Sequence, residues 1–125
     1  MILPRWMRWA LLATAVMNML GFALFLPSAD SLRQLAGLPQ AEHPLYLANI
    51  AMFVLLFGLG YLWAAIAGRA ERLFLSLAAL GKLSFVGIVV GFWLGGSLPL
   101  RAVLAVGGDL VFGVLFLVFL LRDEG

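Results

Sequence analysis

The sequence predicts an all-α integral membrane protein: a bundle of four transmembrane helices with both ends in the cytoplasm. Three observations lead there. Apolar residues make up 65% of the 125-residue chain and charged residues only 11%, with a mean hydropathy of +1.12. Soluble domains average roughly 45–50% apolar and about 25% charged, and so small a domain exposes too much of its area to hide the excess. Second, four apolar stretches each approach the ~20 residues that cross a bilayer core. Third, prolines and short polar turns fall between those stretches rather than inside them. Length allows a single domain, residues 1–125.

The stretches lie at about 6–26, 45–67, 73–94 and 100–121. Within hydrocarbon every backbone polar group needs a partner inside its own segment, so each is expected to be helical. Pro27, Pro44 and Pro99 stand at or just outside the expected helix ends, where a missing N–H does least harm. Arg5 and Arg8 before an apolar run also resemble the start of a signal peptide. However, the run from 9 to 26 exceeds the ~7–15 residues of such a core, and Pro27 would sit badly at the cut, so a retained helix is expected.

Between the first two segments, Ser28 or Asp30 can cap a short interfacial helix that carries Leu32, Leu35 and Ala36 on one face. Gly37 and Pro39 would end it. The turns Gly68-Arg69-Ala70-Glu71-Arg72 and Gly95-Gly96-Ser97-Leu98-Pro99 are tight, so the last three helices should be consecutive antiparallel neighbours. Orientation follows the basic residues. With the N-terminus inside, Arg5, Arg8, Arg69, Arg72 and Arg122 face the cytoplasm, against Arg33 and Arg101 outside. Trp6, Trp9 and Trp63 toward one interface, and Tyr46 and Trp93 toward the other, fit aromatic belts. A bacterial inner membrane is the expected location.

Lys82 and Asp109 are the candidates for chemistry. Each sits amid apolar residues, where a charge costs about 2.5–3.5 kcal/mol to insert. Lys82 lies roughly 15 Å along its helix from the cytoplasmic end and Asp109 roughly 18 Å, at 1.5 Å per residue. Antiparallel helices would bring them level, and a buried ion pair is expected. Ala102, Ala105, Asp109 and Gly113 share a stripe with Phe116 below, which turns Asp109 toward protein. Lys82 shares its face with Ala78, Val86, Val89 and Trp93, while Gly87, Gly91 and Gly95 lie nearly opposite. Asn18, at about the depth of Asp109, and Thr14 one turn away complete an expected midplane polar cluster. Asn49, Trp93 and Phe116 are further candidates for ligand contact or packing. A structural reading, in which the pair fixes helix register, stands beside ligand or proton handling.

Several classes are disfavoured. With no cysteine, thiolate metal sites and disulfide chemistry are excluded. His43 beside Glu42 in a loop does not make a metal site. No phosphate-cradling loop, nucleophile elbow or activated serine is present, and nothing points to nucleic acid. No cofactor is expected.

The motifs Leu26-Pro27, Leu35-Ala36-Gly37-Leu38-Pro39, Phe57-Gly58-Leu59-Gly60-Tyr61, Gly81-Lys82-Leu83 and Gly108-Asp109-Leu110-Val111-Phe112 span most of the chain. In that order the chain resembles small bacterial four-helix membrane proteins of the DoxX-like kind. Some members are associated with quinone-linked redox complexes, so the resemblance implies a quinone or lipid ligand and no catalytic role. The leading expectation is a non-enzymatic binder of a lipophilic small molecule, or an accessory subunit of a larger membrane complex. A small proton-coupled transporter or channel, oligomeric and using the pair as relay, is the alternative. An enzyme acting on a lipid or quinone comes third.

Overall fold

A computed structural model describes residues 1–40 and 43–122, and over these the chain is helical. Six helices follow in order: α1 Arg5–Leu24, α2 Asp30–Leu35, α3 Pro44–Ala67, α4 Arg72–Leu94, α5 Leu100–Ala105 and α6 Gly107–Arg122. Three of them, α1, α3 and α4, are long and apolar enough to cross a membrane. Only about a third of each of these spans is buried within the chain, so most of their surface faces outward. Val16, Leu20, Phe53, Ile66, Leu80 and Ile88 are all more than half exposed, as residues meant for hydrocarbon would be.

Proline and glycine set the boundaries. Pro4 and Pro99 precede α1 and α5, and Pro44 opens α3 with its missing N–H in the one turn that does not need it. Gly68 ends α3 in a left-handed conformation, φ 70°, which a side chain would resist. His43 caps α3, its Nδ1 accepting from the Leu45 N–H at 3.1 Å; Glu42 beside it lies outside the described residues. The short helix α2 forms between α1 and α3, but its cap differs from expectation. Ala29 precedes it, and Asp30 instead pairs with Arg33 one turn on.

The fourth apolar stretch is not one helix. It breaks at Val106, giving a six-residue α5 and a sixteen-residue α6. The cause is Gly107-Gly108, which lowers helix propensity by roughly 1 kcal/mol per residue relative to alanine. The break also shifts the buried stripe. Ala102 and Val106 are buried, whereas Ala105 is exposed; the expected phase returns at Gly113 and Phe116.

Helix α1 packs most extensively on α3, and α4 on α6, with a lesser seam between α1 and α6. Helices α3 and α4 meet mainly through side chains. Phe57, Tyr61 and Phe74 fill that seam, ring on ring, with Phe57 and Phe74 stacked at 5.8 Å. Gly60 leaves room for Phe74, whose Cζ would lie 2.8 Å from a Cβ placed there. The N-terminal residues also occupy the α3–α4 turn. Leu3 N–H donates to the Gly68 carbonyl at 2.9 Å and Ala70 N–H to the Met1 carbonyl at 3.1 Å.

Arginines close three helix ends, where carbonyls lack intrahelical partners. Arg8 donates to the Ala65 and Ile66 carbonyls of α3. Arg72 donates to the Leu120 carbonyl of α6 at 3.1 Å. Arg33, only 1% exposed, reaches the carbonyl of Leu24 at the end of α1 and those of Leu26 and Pro27 just after it. The sequence reading counted Arg33 by its loop alone; the structure adds that it is buried on these carbonyls.

Candidate functional site

Lys82 sits midway along α4 on its buried face, in line with Ala78, Val86 and Val89. Asp109 lies in the first turn of α6, immediately after the break. The two meet: Lys82 Nζ donates to Asp109 Oδ1 at 2.8 Å, with side-chain exposures of 6% and 22%. Gly113, one turn further along α6, permits this approach. A Cβ there would stand 2.9 Å from Leu83 Cδ2 and 3.3 Å from Lys82 Cβ, so only hydrogen fits without movement.

Position on α6 adds a second attraction. The first turn of a helix carries unpaired N–H groups and the positive end of the macrodipole, worth about 0.3–1 kcal/mol to a nearby carboxylate. Asp109 thus faces an ammonium on one side and the start of its own helix on the other. A continuous helix through this point would have lacked that contribution. The break places the acid, and the acid in turn favours the break.

Aromatic rings close over the lysine. Its Nζ is 5.1 Å from the Tyr61 ring centroid and 6.0 Å from that of Phe112, within cation–π range. Tyr61 is 2% exposed and packs against Phe57, Phe74 and Phe116. The sequence reading did not single out Tyr61. No signal in the sequence set it apart: two residues before Trp63 and six before the end of α3, it reads as another interfacial ring.

The expected polar cluster is divided. Asn18 Nδ2 donates to the Val54 carbonyl of α3 at 2.9 Å, so its amide binds the α1–α3 pair. Gly58 admits that contact, since a Cβ there would lie 3.0 Å from Asn18 Cβ. Thr14 is fully buried, and among the described residues its Oγ1 has no hydrogen-bond partner. Arg8 reaches Ala65 and Asn18 reaches Val54, so Thr14 between them is level with residues 58–61 of α3. Among the described residues no hydrogen bond joins Thr14 or Asn18 to Lys82 or Asp109.

The remaining candidates scatter. Phe116 is fully buried, 5.8 Å from the Tyr61 ring, and acts in packing. Trp93 is 37% exposed near the end of α4, and Asn49 is exposed on the outer face of α3. Gly87 and Gly91 meet nothing within 4 Å of where a Cβ would stand.

Chemically, the site offers one ammonium, one carboxylate and a phenol ring wall beneath a helix break. It can hold a polar group of a ligand or hold two helices together. Nothing in it resembles a nucleophile with its base. Comparison with protein-family models, with curated proteins and with solved structures finds no match for this chain.

Proposed function

We propose that this chain is a four-span protein of a bacterial inner membrane, with both termini cytoplasmic, that binds a lipophilic small molecule bearing a polar head. The observation that carries the reading is the Lys82–Asp109 contact at the α5–α6 break, with Asp109 still about one-fifth exposed. Oδ1 is engaged by Lys82, while the partly exposed carboxylate keeps further acceptor capacity. A charged oxygen left open at the middle of a membrane is costly, and a hydroxyl or N–H from a lipid or quinol offsets that cost. The DoxX-like resemblance points to the same ligand class. An accessory role in a larger membrane complex is compatible with such binding.

The fourth span draws support from length. Sixteen residues of α6 rise about 24 Å, and the six of α5 add about 9 Å, together close to the ~30 Å hydrocarbon core. Broken helices at membrane depth recur where they line a binding site. The basic residues at the ends of α1, α3, α4 and α6 support the orientation.

Mass spectrometry of the protein purified in mild detergent tests the ligand. The wild type should retain one lipid or quinone well above its share in the membrane extract, and Asp109→Asn should lose it. The double variant Lys82→Met/Asp109→Leu keeps the helices paired without polar groups, so it should stay folded yet also lose the ligand. Retention that matches bulk lipid, or that ignores both variants, refutes the proposal. The unpartnered Thr14 hydroxyl, level with the Tyr61 end of the site, supports one other reading, a proton relay. Proton flux in proteoliposomes that vanishes with Asp109→Asn would favour it.

A further inference from the structure

Two grooves of about 390 and 420 Å³ lie at the N-terminal end of the bundle, away from the Lys82–Asp109 contact. The first runs between α1 and α3 and is lined by Arg5, Arg8, Trp9, Leu12, Ala65 and Ile66. We infer that this groove is a seat for an anionic glycerophospholipid, its phosphodiester held by Arg5 and Arg8 and an acyl chain lying along Trp9, Leu12 and Ile66.

The charge is placed, and among the described residues no carboxylate pairs with it. Arg5 is exposed and has no partner among the described residues. Arg8 is held firmly, its Nε donating to the Ala65 carbonyl at 2.9 Å and an Nη to that of Ile66 at 3.2 Å. Carbonyl acceptors leave the full positive charge of its guanidinium in place. Helix α1 has no acidic residue in its first turn and no side-chain cap, so its positive end adds to the two arginines. Among the described residues no carboxylate lines the groove.

Below the arginines the lining turns apolar. Trp9 is 66% exposed and Ile66 68%, and both continue onto the outward surface of the bundle. A free phosphate would use only the upper part of such a groove; a phospholipid uses both, with its head at the interface and its chain in hydrocarbon. Tryptophan at headgroup level and arginine beside it form the anchoring pair expected there. The second groove has a different character. It holds Arg69, but also Glu71, whose negative charge works against an anion.

This site is separate from the midplane pair and rests only on the chain's being embedded in a membrane. Native mass spectrometry of the full chain in detergent, titrated with phosphatidylglycerol, phosphatidylcholine of matched chains, and inorganic phosphate, tests it. Phosphatidylglycerol should bind about tenfold more tightly than phosphatidylcholine, and Arg5→Gln should remove about fivefold of that preference, the scale of one basic residue at an anionic surface. Arg5 holds no helix end, so the thermal midpoint of Arg5→Gln should match the wild type. Trp9→Ala should weaken both lipids alike. Equal binding of the two lipids overturns the inference, as does a preference that survives Arg5→Gln. Competition by inorganic phosphate at the lipid's own concentration shows an anion site only and overturns it too. Asp109→Asn should leave phosphatidylglycerol binding untouched, so failure of the midplane reading is distinguishable from failure here.

Discussion

Exchanging the residues of the Lys82–Asp109 contact should produce a specific order of stabilities. Replacing one partner, by Lys82→Met or Asp109→Leu, leaves the other charge in a site that is 6% or 22% exposed. Breaking a buried pair from one side costs roughly 3–5 kcal/mol. For Asp109→Leu the rings of Tyr61 and Phe112 remain over the ammonium and return about 0.5–2 kcal/mol, so the loss should fall near the lower bound. Replacing both residues with Met and Leu removes the stranded charge and should lie within about 1 kcal/mol of the wild type, since apolar replacement of a buried pair is often neutral or better. The full swap, Lys82→Asp with Asp109→Lys, restores the attraction but sets a cation on the first turn of α6. That reversal against the helix end should leave it about 0.3–1 kcal/mol, and the sum of both dipole terms at most, below the wild type. Titration with a denaturing detergent, read by helix content and by the monodisperse fraction on size exclusion, gives the order. Single variants within about 0.5 kcal/mol of the wild type, or a double variant that sums the singles, would refute the reasoning.

Other expectations are more local. Arg33→Gln should destabilise the chain by at least one charged hydrogen bond, about 1.5–3 kcal/mol, with Arg33→Lys unable to reach all three carbonyls; thermal melts of the purified protein decide it. Gly113→Leu should force α4 and α6 apart, because even its Cβ would lie 2.9 Å from Leu83 Cδ2. A loss of about 1–3 kcal/mol, larger than for Gly87→Leu where nothing stands within 4 Å, is expected in the same melts. The chain has no cysteine, so single cysteines report topology cleanly. A membrane-impermeant maleimide should label Ser97→Cys on intact cells and Glu71→Cys only after permeabilisation; the reverse pattern would invert the orientation.

Much of the architecture was legible because lipid imposes a simple rule. Spans reveal themselves by length and hydropathy, and Pro44, Gly68 and Pro99 mark boundaries through backbone constraints that hold in any context. Lys82 and Asp109 stood out for a related reason, since a charge amid twenty apolar residues is rare. The break at Val106 was less legible, although Gly107-Gly108 was in plain view. Hydropathy scores glycine near neutral, so two glycines within a leucine- and valine-rich run barely lower its average, and the loss of helix propensity goes unseen. Arg33 shows a second limit. A count of charges in loops cannot tell a solvated arginine from one buried on carbonyls. Asn18 shows a third: its place along α1 is legible, but the direction of its amide, toward Val54, depends on which neighbour lies close, and that is set by packing between segments.

The aromatic seam between α3 and α4 bears on the order in which the chain assembles. The polar bonds that cross between long helices fall inside two successive pairs: Asn18 to Val54 and Arg8 to Ala65 within α1–α3, and Lys82 to Asp109 and Arg72 to Leu120 within α4–α6. Across the pairs the ring contacts are Trp6 with Phe119, Tyr61 with Phe116, and Phe74 with Phe57 and Tyr61. During synthesis the first hairpin can therefore enter lipid with its inward amide already satisfied, before the second hairpin exists. The second arrives with acid and base emerging twenty-seven residues apart, each other's nearest opportunity. What remains is the docking of the two pairs through rings, Tyr61 of the first closing over Lys82 of the second at 5.1 Å.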